Sequence, residues 1–359
     1  MKPRNSICRI LPFPAIILAG AAMFAGPSAL AATLTWEGTA NNLSLNTNWV
    51  GGPTPASGDL MIFGVAGAGG LLLNNDLSVS FSINAITYNP GASAFVIGDG
   101  SATPNLGNAF VLGGNVINNS ASLQTINAPF SMTAVRTFTT LASGGDIVLA
   151  GNLSGAAGGI TKAGGGTLTL AGTNTYTGAT TISGGLLKVT GTSSNSAFAV
   201  SGAALGGTGT INGAVTVSGT GAINLANGAV EAPLKLGSTL AITGAAGANN
   251  LSFDLGSGNT DLITVVGNTS VTTALSAVIN LNQIGGVASP ITPGTYPPDP
   301  GHWHDGGDRA VCPRHQQGFR INLHTRGHGQ QPAGDRRRRH ARPGRRGLDG
   351  RSQPLDHRF

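Results

Sequence analysis

Thr167-Leu168-Thr169-Leu170 sends two leucines to one side of an extended chain and two threonines to the other. Leu187-Lys188-Val189, Val215-Thr216-Val217 and Ile223-Asn224-Leu225 alternate in the same way. A period of two, rich in Thr and Val, marks half-buried strands. Between these segments lie Gly-Gly, Gly-Thr-Asn, Ser-Gly-Gly and Asn-Gly, which tolerate positive φ and turn the chain within a few residues. No stretch from Thr33 to Tyr296 has the 3.6-residue amphipathic period of a surface helix. The body is predicted to be all-β.

A sandwich, a barrel and a solenoid could each use such strands. A sandwich core wants large rings, yet beyond its Phe residues the body has only Trp36, Trp49, Tyr88, Tyr176 and Tyr296. A solenoid winds short strands around a thin core that Leu, Ile, Val and Ala can fill, with Gly, Asn and Thr at its corners. At ~20 residues per coil the body would make about 13 coils, and at ~4.8 Å per coil a stack of about 60 Å. Only the two ends of the stack would need capping.

Composition divides the chain sharply. Lys2, Arg4 and Arg9 precede the apolar run Ala15–Ala25, and Ala29-Leu30-Ala31 follows with the small-x-small cleavage pattern of a secretory signal peptide. The apolar run is too short to span a membrane as a helix. From Thr33 to Tyr296 there are four basic residues against eight acids, no His and no Cys. From Pro297 onward there are 13 Arg, six Asp and all seven His. The basic pI of 9.9 therefore belongs to the two ends, and the acidic body gives no support to nucleic-acid binding. His302, His304, Cys312 and His315 invite a zinc reading, but no second ligand pair at finger spacing accompanies them. The abrupt loss of strand pattern after Tyr296 suggests instead an out-of-frame translation. Shifted by one nucleotide, the codons after Tyr296 can read Leu, then Ile or Thr, and on into Thr-rich sequence like the body. The expected organisation is a signal peptide (1–31), an N-terminal β-helix segment with its cap (32–149), a solenoid segment (150–230), C-terminal rungs (231–296) and a basic, disordered tail (297–359).

Gly158-Gly159-Ile160-Thr161-Lys162-Ala163-Gly164-Gly165-Gly166-Thr167-Leu168-Thr169-Leu170, with Asn174-Thr175-Tyr176-Thr177-Gly178 and Gly184-Gly185-Leu186-Leu187, resembles the autotransporter-associated β-strand repeat (passenger-associated transport repeat). The resemblance is dense over 158–189. Val116–Ser120, Gln124–Asn127 and Asp261–Asn268 are similar to segments of the same proteins, and Trp36, Asn48-Trp49 and Pro55–Phe63 to their opening. It implies a right-handed parallel β-helix in an exported, extracellular or outer-cell-surface protein. The function it implies is structural or adhesin-like, through extended contact with glycans, cell-surface components or copies of the same chain. The alternative is a β-helix that binds or degrades polysaccharide.

The residues themselves assign little chemistry. Lys162 and Lys188 read as solvated charges that discourage edge pairing, and Tyr176 as cover for an edge of the core. The acids are scattered. Asp254 and Asp261 are the closest pair, and an enzyme would need them to converge with Asp146 on one groove. Gly98-Asp99-Gly100 reads as a turn, since the calcium-binding nonapeptide is absent. Gly64, Gly67, Gly69 and Gly70 lack the helix and the Lys-Ser/Thr pair of a phosphate loop. No catalytic, cofactor-binding or metal-binding residue is assigned, and no cofactor is expected.

Overall fold

A computed structural model describes residues 31–98, 108–142, 144–243, 250–255, 261–266, 269–271, 278–283 and 295–296. The expected signal segment up to residue 30, Asp99 with Gly100, and the basic tail 297–359 lie outside the described residues.

Thirty short strands and one three-residue 3₁₀ turn make up the described chain. They form three sheets, of fourteen, eleven and five strands, that stack the chain upon itself. From Gly159 to Val265 each coil contributes one strand to each sheet, paired in parallel with the coils before and after it, while the earlier coils supply strands to the first two sheets only. This is a parallel β-helix. Around the repeat, one coil runs through Gly159–Ala163, Thr167–Leu170 and Thr173–Asn174, and the next through Thr180–Ile182, Leu186–Val189 and Thr192–Ser193. The register carries the predicted alternation across coils. Ile147, Leu168, Leu187, Leu205 and Ile223 stand in one inward column of the second sheet. Leu168 and Leu170 are fully buried while Thr167 and Thr169 are half-exposed.

Two expectations need correction. Leu168 lies 21 residues after its neighbour Ile147 and 19 before Leu187, but Ile223 and Leu251 are 28 apart. Insertions lengthen the coils, so the second sheet holds ten parallel strands and a final antiparallel one (Thr295–Tyr296) among the described residues. Gly172-Thr173-Asn174, read as a turn, instead supplies a strand of the third sheet. Asn174 points inward and is buried. Its Oδ1 accepts a hydrogen bond from the Leu153 N–H (3.0 Å) and its Nδ2 donates to the Gly172 carbonyl (3.1 Å). The amide side chain thus joins Thr173–Asn174 to the preceding coil.

Glycines set the closeness of that corner. A Cβ on Gly172 would run into the carbonyl oxygen of Gly151, one on Gly191 into that of Gly172, and one on Gly209 into that of Gly191. These glycines form a column in which each coil's backbone rests on the next, leaving no room for a side chain.

Candidate functional site

Lys162 follows Ile160 by two positions in the strand Gly159–Ala163, so the alternation turns both side chains inward. It is fully buried, in register between Phe138 and Ile182. The expectation of a solvated charge is overturned here, and the parity of the strand was the signal for it. Lysine Nζ has three donors, and all three are used. They reach the carbonyls of Ala163 (2.9 Å) and Gly164 (2.8 Å) at its own corner, and of Gly184 (2.9 Å) at the corner of the next coil. Burial lowers the ammonium pKa to about 8, against the opposing influence of the Asp146 carboxylate. Lys162 is therefore a pin between two stacked turns.

Tyr176 is also fully inside. Its hydroxyl lies 2.7 Å from Thr180 Oγ1, which lies 2.7 Å from Ser196 Oγ, and Ser196 donates to the Gly178 carbonyl. Burial raises the phenol pKa, and the neighbouring hydroxyls partly offset this. Expected to cover an edge of the core, Tyr176 instead lies within it and anchors a polar chain there.

The acids serve the backbone. Asp146 Oδ1 accepts from the Thr167 N–H (2.6 Å). Asp254 is buried, and its Oδ2 accepts from three successive N–H groups, those of Asn227 (2.8 Å), Gly228 (2.6 Å) and Ala229 (3.1 Å). Asp261 Oδ1 accepts from the Glu231 N–H (3.1 Å) and Oδ2 from the Asp254 N–H (2.8 Å). Burial is the main cause raising the Asp261 carboxyl pKa, the charges of Asp254 and Glu231 add to it, and the two N–H groups oppose it. Asp254 and Asp261 are thus neighbours that fasten the 225–231 loop. Asp146 belongs five coils away along the second sheet, about 24 Å at ~4.8 Å per coil. The three carboxylates do not meet in one groove.

A shallow pocket of about 70 Å³ lies where the 225–232 loop folds back over two earlier coils. Leu186 and Lys188 come from the second sheet, Gly206 to Thr208 from the coil after, and Asn224 to Asn227, Glu231, Ala232 and Asp261 from the loop side. Lys188, unlike Lys162, is turned outward, between the inward Leu187 and Val189. Its Nζ stands 3.7 Å from Glu231 Oε1. Among the described residues, no group of three or more His, Cys, Asp or Glu side chains could hold a metal ion.

Residues 160–189 match the family model described as passenger-associated-transport-repeat. That match and the stacked parallel strands fit an autotransporter-passenger type of β-helix. No curated protein and no solved structure matches the chain. The matched segment holds the Lys162 pin, Tyr176 and Thr180 of the hydroxyl chain, Gly172 and Lys188. The pocket's other wall lies beyond it.

Proposed function

We propose that this chain is an exported, surface-displayed β-helix that acts by extended contact with glycans, cell-surface components or its own copies, and is not an enzyme. The observation that carries this reading is the outward register of the sheets. Thr137, Thr161, Thr181, Ala199, Thr216 and Ala241 stand side by side on the first sheet, one per coil. Thr173, Thr192, Thr210, Lys235 and Thr264 do so on the third. Small hydroxyl side chains repeated at ~4.8 Å give a flat surface that can meet a partner over many weak, similar contacts. Among the described residues no helix is long and apolar enough to cross a membrane. The signal pattern at the N-terminus and the passenger-type repeat support export.

The test is expression of the full chain in a bacterium with an outer membrane. Protease added to intact cells should digest it, and the cells should gain adhesion to a glycan-coated surface or to one another. Replacing Thr161, Thr181 and Thr216 together by Glu should abolish the gain while leaving the β circular-dichroism signal unchanged. A chain that stays inside the cell, or one whose adhesion ignores the triple substitution, would refute the reading.

A further inference from the structure

The path from the second sheet to the third is short in the middle coils. Two residues separate Leu170 from Thr173, two separate Val189 from Thr192, and three separate Gly206 from Thr210. It then lengthens to nine residues between Asn224 and Leu234, and to seven between Leu255 and Ile263. Both insertions occur at the same corner in consecutive coils. In repeat architectures, such insertions place loops on one face, often the binding face. Asp254 and Asp261 lock the first insertion through four backbone N–H groups. The loop is therefore fixed before any ligand arrives, which lowers the ordering cost of binding.

Resting on the contact role proposed above, we infer that the pocket at Lys188 and Glu231 binds a neutral saccharide through a vicinal pair of hydroxyls. The ammonium and carboxylate are each about one-third exposed (31% and 35%), and at 3.7 Å they lie beyond hydrogen-bonding distance. A hydroxyl both accepts and donates, so two adjacent hydroxyls can bridge such a pair, accepting from Lys188 and donating to Glu231. Further donors line the same wall. Asn224 Oδ1 accepts from the Ala226 N–H and Asn227 Oδ1 from the Ala229 N–H, so the amide NH₂ groups are the ends left to address a ligand. Thr208 adds a hydroxyl, and Leu186 and Leu225 an apolar surface for the C–H face of a ring. At about 70 Å³ the pocket admits the hydroxyl pair and the edge of one ring, with the rest of the saccharide lying outside it. Glu231 and Asp261 outnumber Lys188, so a polyanion is repelled.

Saturation-transfer NMR on the full chain tests this, with cellohexaose, mannohexaose and xylohexaose as neutral probes and polygalacturonate as the acidic one. At least one neutral hexasaccharide should give a signal that falls at least fivefold in Lys188→Gln and in Glu231→Gln. Glu37→Gln, exposed at the N-terminal end and outside the pocket, should leave it unchanged. The saccharide site is overturned if no neutral probe gives a signal, if both pocket variants keep it, or if polygalacturonate binds best. Adhesion of the same preparations separates the two claims. A chain that adheres without saccharide signal removes only the pocket, whereas one that binds saccharide without adhering removes only the extended-contact role.

Discussion

The first coils and the repeat coils solve the same packing problem with different side chains. At the N-terminal end, Trp36, Trp49, Phe63, Tyr88 and Phe95 form one continuous aromatic cluster. Trp36 meets Trp49 edge-on at 5.1 Å, and Phe63 lies 5.3 Å from both Tyr88 and Phe95. In the repeat, the interior is Ile160, Leu168, Leu170, Ile182, Leu187 and Val189, with Lys162 and Tyr176 as the large exceptions. An end coil lacks a neighbour on one side, so bulky rings must close the core from within. A middle coil has a neighbour at ~4.8 Å on both sides, so aliphatic columns suffice there, with single rings such as Phe138, Tyr176 and Phe198 set among them. What distinguishes the N-terminal end is that five rings meet in one cluster.

The largest effect should come from opening the closed end. Trp49 is fully buried and its Nε1 donates to the Leu43 carbonyl at 2.9 Å. Trp49→Ala should cost about 3–5 kcal/mol, as large-to-small changes in cores do. Coils depend on nearest neighbours, so the damage should stay local. Limited proteolysis should cut first within 33–98 while 158–218 persists. Simultaneous loss of both regions would show that the two ends of the comparison are one cooperative unit.

Next comes the pin of the repeat. Lys162→Met keeps length and volume but leaves the carbonyls of Ala163, Gly164 and Gly184 without their donor. At about 1 kcal/mol or more for each buried acceptor, the loss should be roughly 3 kcal/mol. Lys188→Met, on the outer face of the following coil, should change stability by no more than about 0.5 kcal/mol. Urea midpoints of the two variants measure the contrast. Equal midpoints would place Lys162 among ordinary surface lysines after all.

A third, smaller effect contrasts glycines. Gly191→Ala sets a methyl against the Gly172 carbonyl of the previous coil, whereas a Cβ on Gly52, at φ +68°, meets nothing within 4 Å. The first should cost about 2 kcal/mol through overpacking and the second about 1 kcal/mol through backbone strain alone. Thermal melts should rank them in that order.

These contrasts show how far the sequence could be read. Alternation in Thr167–Leu170 set the strand, its facing and the coil, because period two leaves a one-residue slip no alternative. The same rule, carried two residues past Ile160, would have turned Lys162 inward. Residue type misled, since lysine is so often exposed. The Gly172, Gly191 and Gly209 column could not be seen beforehand, because its cause is the approach of another coil, not the glycine's own φ. Coil number was misjudged for a related reason: insertions such as 225–233 are indistinguishable from turns until a later carboxylate, here Asp254, is seen to hold them. The pocket shares that origin. Lys188 and Glu231 are far apart in sequence, and only the fold-back of the inserted loop brings them together.

A last effect joins the two regions through pH. In the unfolded chain a lysine titrates near its ordinary 10.5, but in the folded chain Lys162 is lowered to about 8 by burial. Between those values the unfolded state holds more protons, so stability must rise with pH, by at most about 1.4 kcal/mol per unit. The buried phenols act in the opposite sense. Tyr88 in the first coils and Tyr176 in the repeat both have pKa values raised by burial above their ordinary 10.0. They stay protonated in the fold where the unfolded chain would ionise, so above pH 10 they lower stability as pH climbs. The urea midpoint should therefore increase from pH 8 to about 10 and then decline. Lys162→Met should erase the rise and keep the decline, while Tyr88→Phe should weaken the decline and keep the rise. A midpoint that falls steadily from pH 8 in the unsubstituted chain would mean that Lys162 is charged in the fold at no desolvation cost, and the pin would then be a far stronger contact than its burial allows.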